Sequence, residues 1–390
     1  MTVVALAEIA DQIRGVSYGK TDVVDRPAEG FLPVLRANNI TDDGLSFDDL
    51  VYVRAEKVSA KQHVQSGDIV IAASSGSISV VGKAAQAEHD LGAGFGAFCK
   101  VVRPSPKVHA RYIGHFFKTQ DYRRKMSALA AGANINNLKN EHIDEIDIPL
   151  PSLDEQKRIA AILDQADELR RKRQHAIERL NQLGQAIFHE MFGDPVTNPK
   201  GFSIKRLGEV GILDRGVSKH RPRNDPALLG GKHPLIQTGD VANADGYIRN
   251  YSSTYSDLGL KQSRKWPSET LCITIAANIG KTAILKIDAC FPDSVVGFTP
   301  SADTNAEYVQ FWMARVQKRL EDIAPQSAQK NINLAILREL PIPMPAKALQ
   351  DEFQKLIGVI ETQKATLRAV ASGTSGLFSS LQHRAFKGEL

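Results

Sequence analysis

Cysteine is scarce: Cys99, Cys272 and Cys290 are the only three in 390 residues. They are odd in number and lack CxxC spacing, so neither a disulfide framework nor a zinc site is indicated. Long hydrophobic runs are also missing, and no segment approaches the ~18 uninterrupted apolar residues that a membrane span needs. The opening MTVVALAEIADQIRG has no basic leader and carries Glu8 and Asp11 within its apolar stretch, so it does not read as a secretory signal. Charge of one sign is absent too, with 49 Lys and Arg against 44 Asp and Glu for a net +5. These absences point away from membrane-embedded and disulfide-stapled secreted classes, and the expected setting is a reducing cytoplasm.

What remains is the composition of a globular protein, 42% hydrophobic and 24% charged, at a length that suggests two domains. The charge is unevenly spread. Residues 1–194 hold 24 Lys and Arg against 26 Asp and Glu, and the rest hold 25 against 18. A basic bias of this size permits nucleic-acid binding without demanding it.

The strongest signal is an internal repeat of roughly 195 residues. Leu6-Ala7-Glu8-Ile9 and Arg14-Gly15-Val16-Ser17 return at an offset of 201 as Leu207-Gly208-Glu209-Val210 and Arg215-Gly216-Val217-Ser218. Pro33-Val34-Leu35 answers Pro234-Leu235-Ile236, and Ser66-Gly67-Asp68-Ile69-Val70-Ile71 answers Ser268-Glu269-Thr270-Leu271-Cys272-Ile273. Tyr112 with Phe116-Phe117 answers Tyr308 with Trp312-Met313, and Asn134-Ile135-Asn136 answers Asn331-Ile332-Asn333. Ile148-Pro149-Leu150-Pro151 and His189-x-x-Phe192 recur as Ile342-Pro343-Met344-Pro345 and His383-x-x-Phe386, at an offset of 194.

Each Ile-Pro-x-Pro leads into a long helical pattern. Ser152 and Glu155 form a capping-box signature. Beyond them, positions in alternating steps of three and four are largely apolar: Ile159, Ile162, Ala166, Leu169, Arg173, Ala176, Leu180, Leu183, Ile187 and Glu190. Gly193 and Pro195 supply the stop. The second copy runs Phe353, Leu356, Ile360, Gln363, Leu367, Val370, Thr374, Leu377, Leu381 and Arg384, with glycines and serines between 371 and 376 that lower its helix propensity. Both read as coiled-coil seams, most economically paired with each other as an antiparallel intramolecular coiled coil. About 35 residues at ~1.5 Å rise would make a spacer of roughly 50 Å.

The expected organisation is therefore α+β: two mixed α/β domains in tandem at 1–150 and 195–345, separated by spacer helices at 151–194 and 346–390. Within the domains, short strands alternate with polar loops. Arg and Lys suit guanine edges and phosphates, Asn and Gln suit adenine edges, and hydroxyls suit phosphates. The candidate DNA-binding residues in the first half are Arg14, Ser17, Lys20, Arg36, Asn38, Asn39, Ser75, Ser77, Lys83, Asn134, Asn136 and Lys139. In the second half they are Arg215, Ser218, Lys219, Arg221, Arg223, Gln237, Asn278, Lys281, Gln329, Lys330 and Asn331. Loop Asn and Ser also occur for backbone reasons alone.

Enzyme signatures fail on inspection. Gly280-Lys281-Thr282 ends like a phosphate loop, but Ile275 stands where its first glycine belongs. Gly92-Ala93-Gly94-Phe95-Gly96-Ala97 spells a dinucleotide fingerprint with no buried strand before it and no helix after it. His189 and His383 have no carboxylate cluster beside them and read as packing or capping residues. No catalytic constellation and no metal site emerge. A ligand-binding enzyme built from two α/β repeats and a coiled-coil scaffold are the competing classes.

Ile148 to Gln156, running into the helix that ends at Phe192, resembles the central conserved region of Type I restriction–modification specificity subunits. The Asn-Ile-Asn stretches, the Arg-Gly-Val-Ser openings and the His-x-x-Phe ends fit as well, and the resemblance spans essentially the whole chain. The second copy departs at Ala346 to Phe353, which reads as a longer connection without the Glu-Gln pair. The resemblance implies a non-catalytic DNA reader whose two target recognition domains each read half of a bipartite, asymmetric site. It implies two modification (methyltransferase) subunits and restriction (motor–nuclease) subunits as partners. S-adenosylmethionine, ATP and Mg²⁺ would belong to those partners. A ~50 Å spacer at ~3.4 Å per base pair would set half-site centres roughly 15 base pairs apart.

Overall fold

A computed structural model describes residues 2–131, 137–276, 278–323 and 332–390. The chain divides into two compact units, Met1–His175 together with Leu367–Leu390, and Ala176–Thr366. Each unit therefore takes one end of each of two long helices, Leu153–Phe192 and Lys347–Lys387.

In the first unit, Ala10–Arg14, Cys99–Pro104, Ile69–Ala72 and Ala84–Gln86 form a four-stranded antiparallel sheet in that order. Its Ile69–Ala72 strand is Ile-Val-Ile-Ala with every side chain buried, the continuous apolar run expected of a strand covered on both faces. A second sheet runs Val23–Val24, Val51–Arg54, Phe31–Leu35, Gly94–Phe95, the last pair parallel. In the second unit, Gly211–Arg215, Val295–Pro300, Leu271–Thr274 and Thr282–Leu285 repeat the first sheet, with Tyr247–Ile248 added in parallel at the edge. A four-stranded sheet again accompanies it.

The repeat is visible in the registers. Thr2 lies opposite Leu150, as Ser203 lies opposite Met344; Ala10 lies opposite Pro104, as Gly211 lies opposite Pro300. Tyr112 donates its hydroxyl hydrogen to the Pro149 carbonyl at 2.6 Å, and Tyr308 does the same to Pro343. These bonds satisfy carbonyls in the Ile-Pro-x-Pro strands, where proline cannot supply a ladder donor.

Both helix starts are built alike, which corrects the reading of a longer second connection. Gln156 accepts the His109 amide hydrogen at 2.9 Å and donates to the Pro151 carbonyl at 2.9 Å. Gln350, at the same offset of 194, accepts from the Asn305 amide at 3.0 Å and donates to the Pro345 and Asp303 carbonyls. The connections from Pro151 to Gln156 and from Pro345 to Gln350 are equal in length, and Leu349 replaces Glu155. Ser152 caps the first helix by accepting the Glu155 amide at 3.4 Å. Gly193 ends it at a φ of +75°, its amide bonded to the His189 carbonyl. The second helix runs unbroken through 371–376. A glycine costs a helix about 1 kcal/mol, which the neighbouring turns absorb.

The buried stripe of each helix coincides with the expected seam only in part. Ile159, Leu163, Asp167, Ile177, Gly184 and Phe188 are buried on the first; Phe353, Ile357, Ile360, Lys364, Phe378, Gln382 and Ala385 are buried on the second. Leu169, Leu183, Leu356, Val370 and Leu377 are instead 40–54% exposed. Ile162, Leu180, Ile187, Leu367 and Leu381 are half-buried. Part of the expected row, including Leu169, Leu183 and Leu356, stands one residue, or ~100°, from the stripe that packs, while Ile159, Phe353 and Ile360 lie in that stripe and Leu180, Ile187 and Leu381 pack against the cores. Counting apolar residues missed part of it because the buried row includes polar side chains with partners of their own. Asp167 takes Lys118 at 2.9 Å and Arg170 at 3.1 Å, and Lys364 takes Glu361 and Asp245.

The two units pack their helix ends differently. In the second unit Phe188, Phe311 and Phe353 form an aromatic cluster, with Phe188 and Phe353 centroids 5.6 Å apart. The repeat-equivalent positions in the first unit are Gln382, His115 and Ile159. There His115 Nε2 bonds Asp164 at 2.8 Å, and Arg111 joins the same carboxylate.

Candidate nucleic-acid interface

Loops that are far apart in sequence converge at one end of the Ala10–Arg14 sheet and of its repeat, the Gly211–Arg215 sheet. In the first unit they gather on the turn between the Gly94–Phe95 and Cys99–Pro104 strands. Val16 donates to the Phe95 carbonyl at 2.7 Å, Gly96 to Leu35 at 2.9 Å, and Ala73 and Ser74 both to Phe98 at 2.9 and 3.0 Å. Three loops, near residues 15, 36 and 74, thus meet one turn, and a fourth, near 138, joins them through Leu138, whose amide donates to Ala73 at 2.8 Å. The glycine of the Arg-Gly-Val-Ser motif makes this possible. A Cβ on Gly15 would lie 2.0 Å from the Gly96 carbonyl oxygen, a separation no side chain tolerates.

The second unit repeats the design around residues 291–294. Ile236 donates to Cys290, Gly216 to Val295, and Ile275 to Ser294. A Cβ on Gly216 would meet the Phe291 and Pro292 carbonyls at 2.3 Å.

Arg14, Ser17, Lys20, Ser77 and Lys139 are exposed on the first cluster, and Ser75 is half-buried. Arg36 and Asn38 converge on Asp49, at 2.9 and 3.1 Å. Lys83 turns to Asp42 at 3.2 Å. Asn39 is a correction. It is fully buried, accepting the Arg36 amide at 2.9 Å and donating to the Asp48 carbonyl at 2.8 Å, so its side chain holds the loop's own backbone. In the second unit, Arg215, Lys219, Arg221, Arg223, Gln237, Asn278 and Lys281 are exposed. Arg221 and Arg223 share Asp293, which fixes both guanidinium groups over the second turn. Ser218 is buried beneath them, a second correction. Asn134, Asn136, Gln329, Lys330 and Asn331 lie outside the described residues.

Two residues in the first cluster escaped the loop-composition reading. Lys100 sits inside a strand opposite Arg14, its ammonium donating to the Leu138 carbonyl at 2.9 Å and to Asn140 at 2.8 Å. Burial, with Arg14 nearby, holds its pKa below the ordinary lysine value. Phe98 is 69% exposed at the tip of the central turn. The glycine-rich segment that resembled a dinucleotide fingerprint serves this turn: its Gly94–Phe95 strand pairs in parallel with Val34 and Leu35. The Gly280-Lys281-Thr282 resemblance also resolves into local structure, because the Gly280 and Lys281 amides are bonded to Thr274 and Asn278. They are not turned toward a phosphate. The three cysteines are buried, and burial pushes the Cys99 thiol up to about 12. Among the described residues no group of three or more His, Cys, Asp and Glu is placed to hold a metal. No described helix is long and apolar enough to cross a membrane.

A family profile described as the Type I restriction modification DNA specificity domain matches residues 1–179 and again 199–363, one copy per repeat. The chain belongs to this specificity family. Among its relatives, the Type I restriction enzyme EcoKI specificity subunit of Escherichia coli (strain K12) is 29% identical over 99% of this chain and 88% of its own. The StySPI specificity subunit of Salmonella potsdam gives the same identity and coverage. A crystal structure of the Type I restriction–modification S subunit from M. genitalium shares the fold, with a TM-score of 0.58 at 16% identity over 99% of this chain and 96% of that one. The two mixed α+β units, each on one end of both long helices, are thus tandem recognition domains of a specificity subunit.

Proposed function

We propose that this chain is the DNA-reading specificity subunit of a Type I restriction–modification complex, each unit reading one half of a bipartite, asymmetric site. The observation that carries this reading is the duplicated loop cluster: two like scaffolds gather loops of different side chains at the same end of their sheets. Equivalent scaffolds with diverged loops are what two different half-sites require. The chain holds no catalytic residue in this reading. It docks two methyltransferase subunits and the motor–nuclease subunits, which carry the S-adenosylmethionine, ATP and Mg²⁺ chemistry, and it acts in the cytoplasm. The two long helices serve as the spacer. Adding one heptad to both contributes ~10.5 Å of rise and should lengthen the site's spacer by roughly three base pairs while sparing both half-sites.

Methylome sequencing of cells with and without this gene, with the partner subunits expressed, tests the reading. One bipartite adenine-methylation motif should disappear with the gene. An unchanged methylome removes the proposal.

A further inference from the structure

We propose that Phe98 is a wedge: on the specific site it inserts between base pairs, or against a partly unstacked base, in the half-site read by the first unit. The inference rests on the DNA-reading function above and adds how one half-site is recognised.

Four observations lead to it. The segment Gly92 to Phe98 carries two phenylalanines with opposite fates, Phe95 fully buried and Phe98 69% exposed. The backbone under Phe98 is fixed, since its carbonyl accepts two amides, from Ala73 at 2.9 Å and Ser74 at 3.0 Å, and the next amide, Cys99, bonds Gly96 at 2.8 Å. An exposed ring on a mobile tip would need no explanation; this one is held out on the turn that three loops meet. The surround is polar and cationic. Arg14 and Lys139 are exposed, and Lys100 donates to Leu138 and Asn140 beneath the turn. Of the nearby carboxylates, Asp144 accepts from Gln12 at 2.7 Å, and it and Glu141 only partly offset the burial and the Arg14 charge that lower the Lys100 pKa. An apolar tip on a cluster whose exposed loop side chains include Arg14 and Lys139 does not match an apolar protein groove. It matches a polyanion whose only apolar surface is its base stack, reached once the phosphates have met the cations. Finally, the repeat-equivalent of Phe98 is Ser294, with Val296 in place of Lys100. The wedge therefore belongs to one reader only, and the two half-sites would be recognised by different means: deformability in one, hydrogen bonding at Arg221 and Arg223 in the other.

The test uses the purified complex with its methyltransferase subunits and a duplex carrying the methylome-defined site. 2-Aminopurine is placed at successive steps of each half-site, away from the methylated adenine. The wild type should brighten the probe at one step of one half-site only. Phe98→Ala should abolish that rise and weaken specific binding about tenfold or more, a change of roughly 1.4 kcal/mol or above. It should leave non-specific binding and melting temperature unchanged, and Phe98→Trp should keep the fluorescence rise. Absence of the rise in a wild type that binds specifically overturns the proposal. So does a Phe98→Ala complex that keeps both the rise and the affinity, or one that loses specific and non-specific binding alike. A wild type that fails to distinguish its site from a scrambled duplex would instead overturn the DNA-reading function itself.

Discussion

Replacing Gln350 by leucine should destabilise the second unit far more than its single side chain suggests. Gln350 is fully buried and makes three hydrogen bonds, accepting from Asn305 and donating to Asp303 and Pro345. Leucine fills a similar volume but strands one buried N–H and two carbonyls. A buried group left unsatisfied costs about 1–3 kcal/mol, with carbonyls toward the lower end. A loss of about 3–5 kcal/mol follows, since the carbonyls keep a second lone pair and part of the strain relaxes. For a unit of this size each kcal/mol lowers the melting temperature by roughly 2–4 °C, so the expected drop is roughly 6–20 °C. Calorimetry of the purified chain reads it, with Gln363→Leu, an exposed glutamine on the same helix, as the control expected within ~1 °C of wild type. Equal melting of the two variants would refute the view that this amide joins the strand exit to the helix start.

Three further outcomes follow from the same reasoning. Leu163→Ala should cost about 2–5 kcal/mol in denaturant unfolding, while the exposed Leu169→Ala should stay within about 0.5 kcal/mol; comparable losses would restore the original seam. Burial works to raise the Asp167 pKa, but Lys118 and Arg170 outweigh it and hold the carboxyl below its ordinary value of 3.8. Its stabilisation is therefore complete above the unfolded pKa and is lost as pH falls through the folded one. Stability should drop below about pH 4, and Asp167→Asn should flatten that acid limb in pH-dependent unfolding; an unaltered slope would count against it. On DNA, Lys20→Ala should weaken binding uniformly across sequences and reduce the salt slope by about one, whereas Asn39→Ala should lower stability without changing the slope. A slope change for Asn39 measured by salt titration would return it to the interface.

The duplication, the mixed α+β class and the long helices were legible because they rest on patterns repeated over many residues. The phase of the helix faces was not, since a buried Asp167 or Lys364 with its ion-pair partners looks like a surface residue until those partners are placed beside it. The same limit applied to the loops. Asn38 and Asn39 are adjacent and chemically identical, yet one is exposed and the other fully buried, a difference set by the Asp48 carbonyl nine residues away. Phe98 and Lys100 were overlooked for the opposite reason: a phenylalanine and a strand lysine carry no loop signature, and only the convergence of loops distant in sequence marks their position.

The division of the chain has a consequence for synthesis. The second unit, Ala176–Thr366, is one continuous stretch, whereas the first is closed by Leu367–Leu390, which leave the ribosome after the second unit. The second unit is thus an insertion within the first and can finish folding earlier. Until Leu367–Leu390 emerge, the face of the first unit formed by Tyr112 and Phe116 lacks Phe386, whose ring packs 5.0 and 5.3 Å from theirs. A chain released after Thr366 should therefore keep the calorimetric transition of the second unit and bind a hydrophobic dye through the first. An unchanged first transition in that truncated chain would show that the closing segment is dispensable.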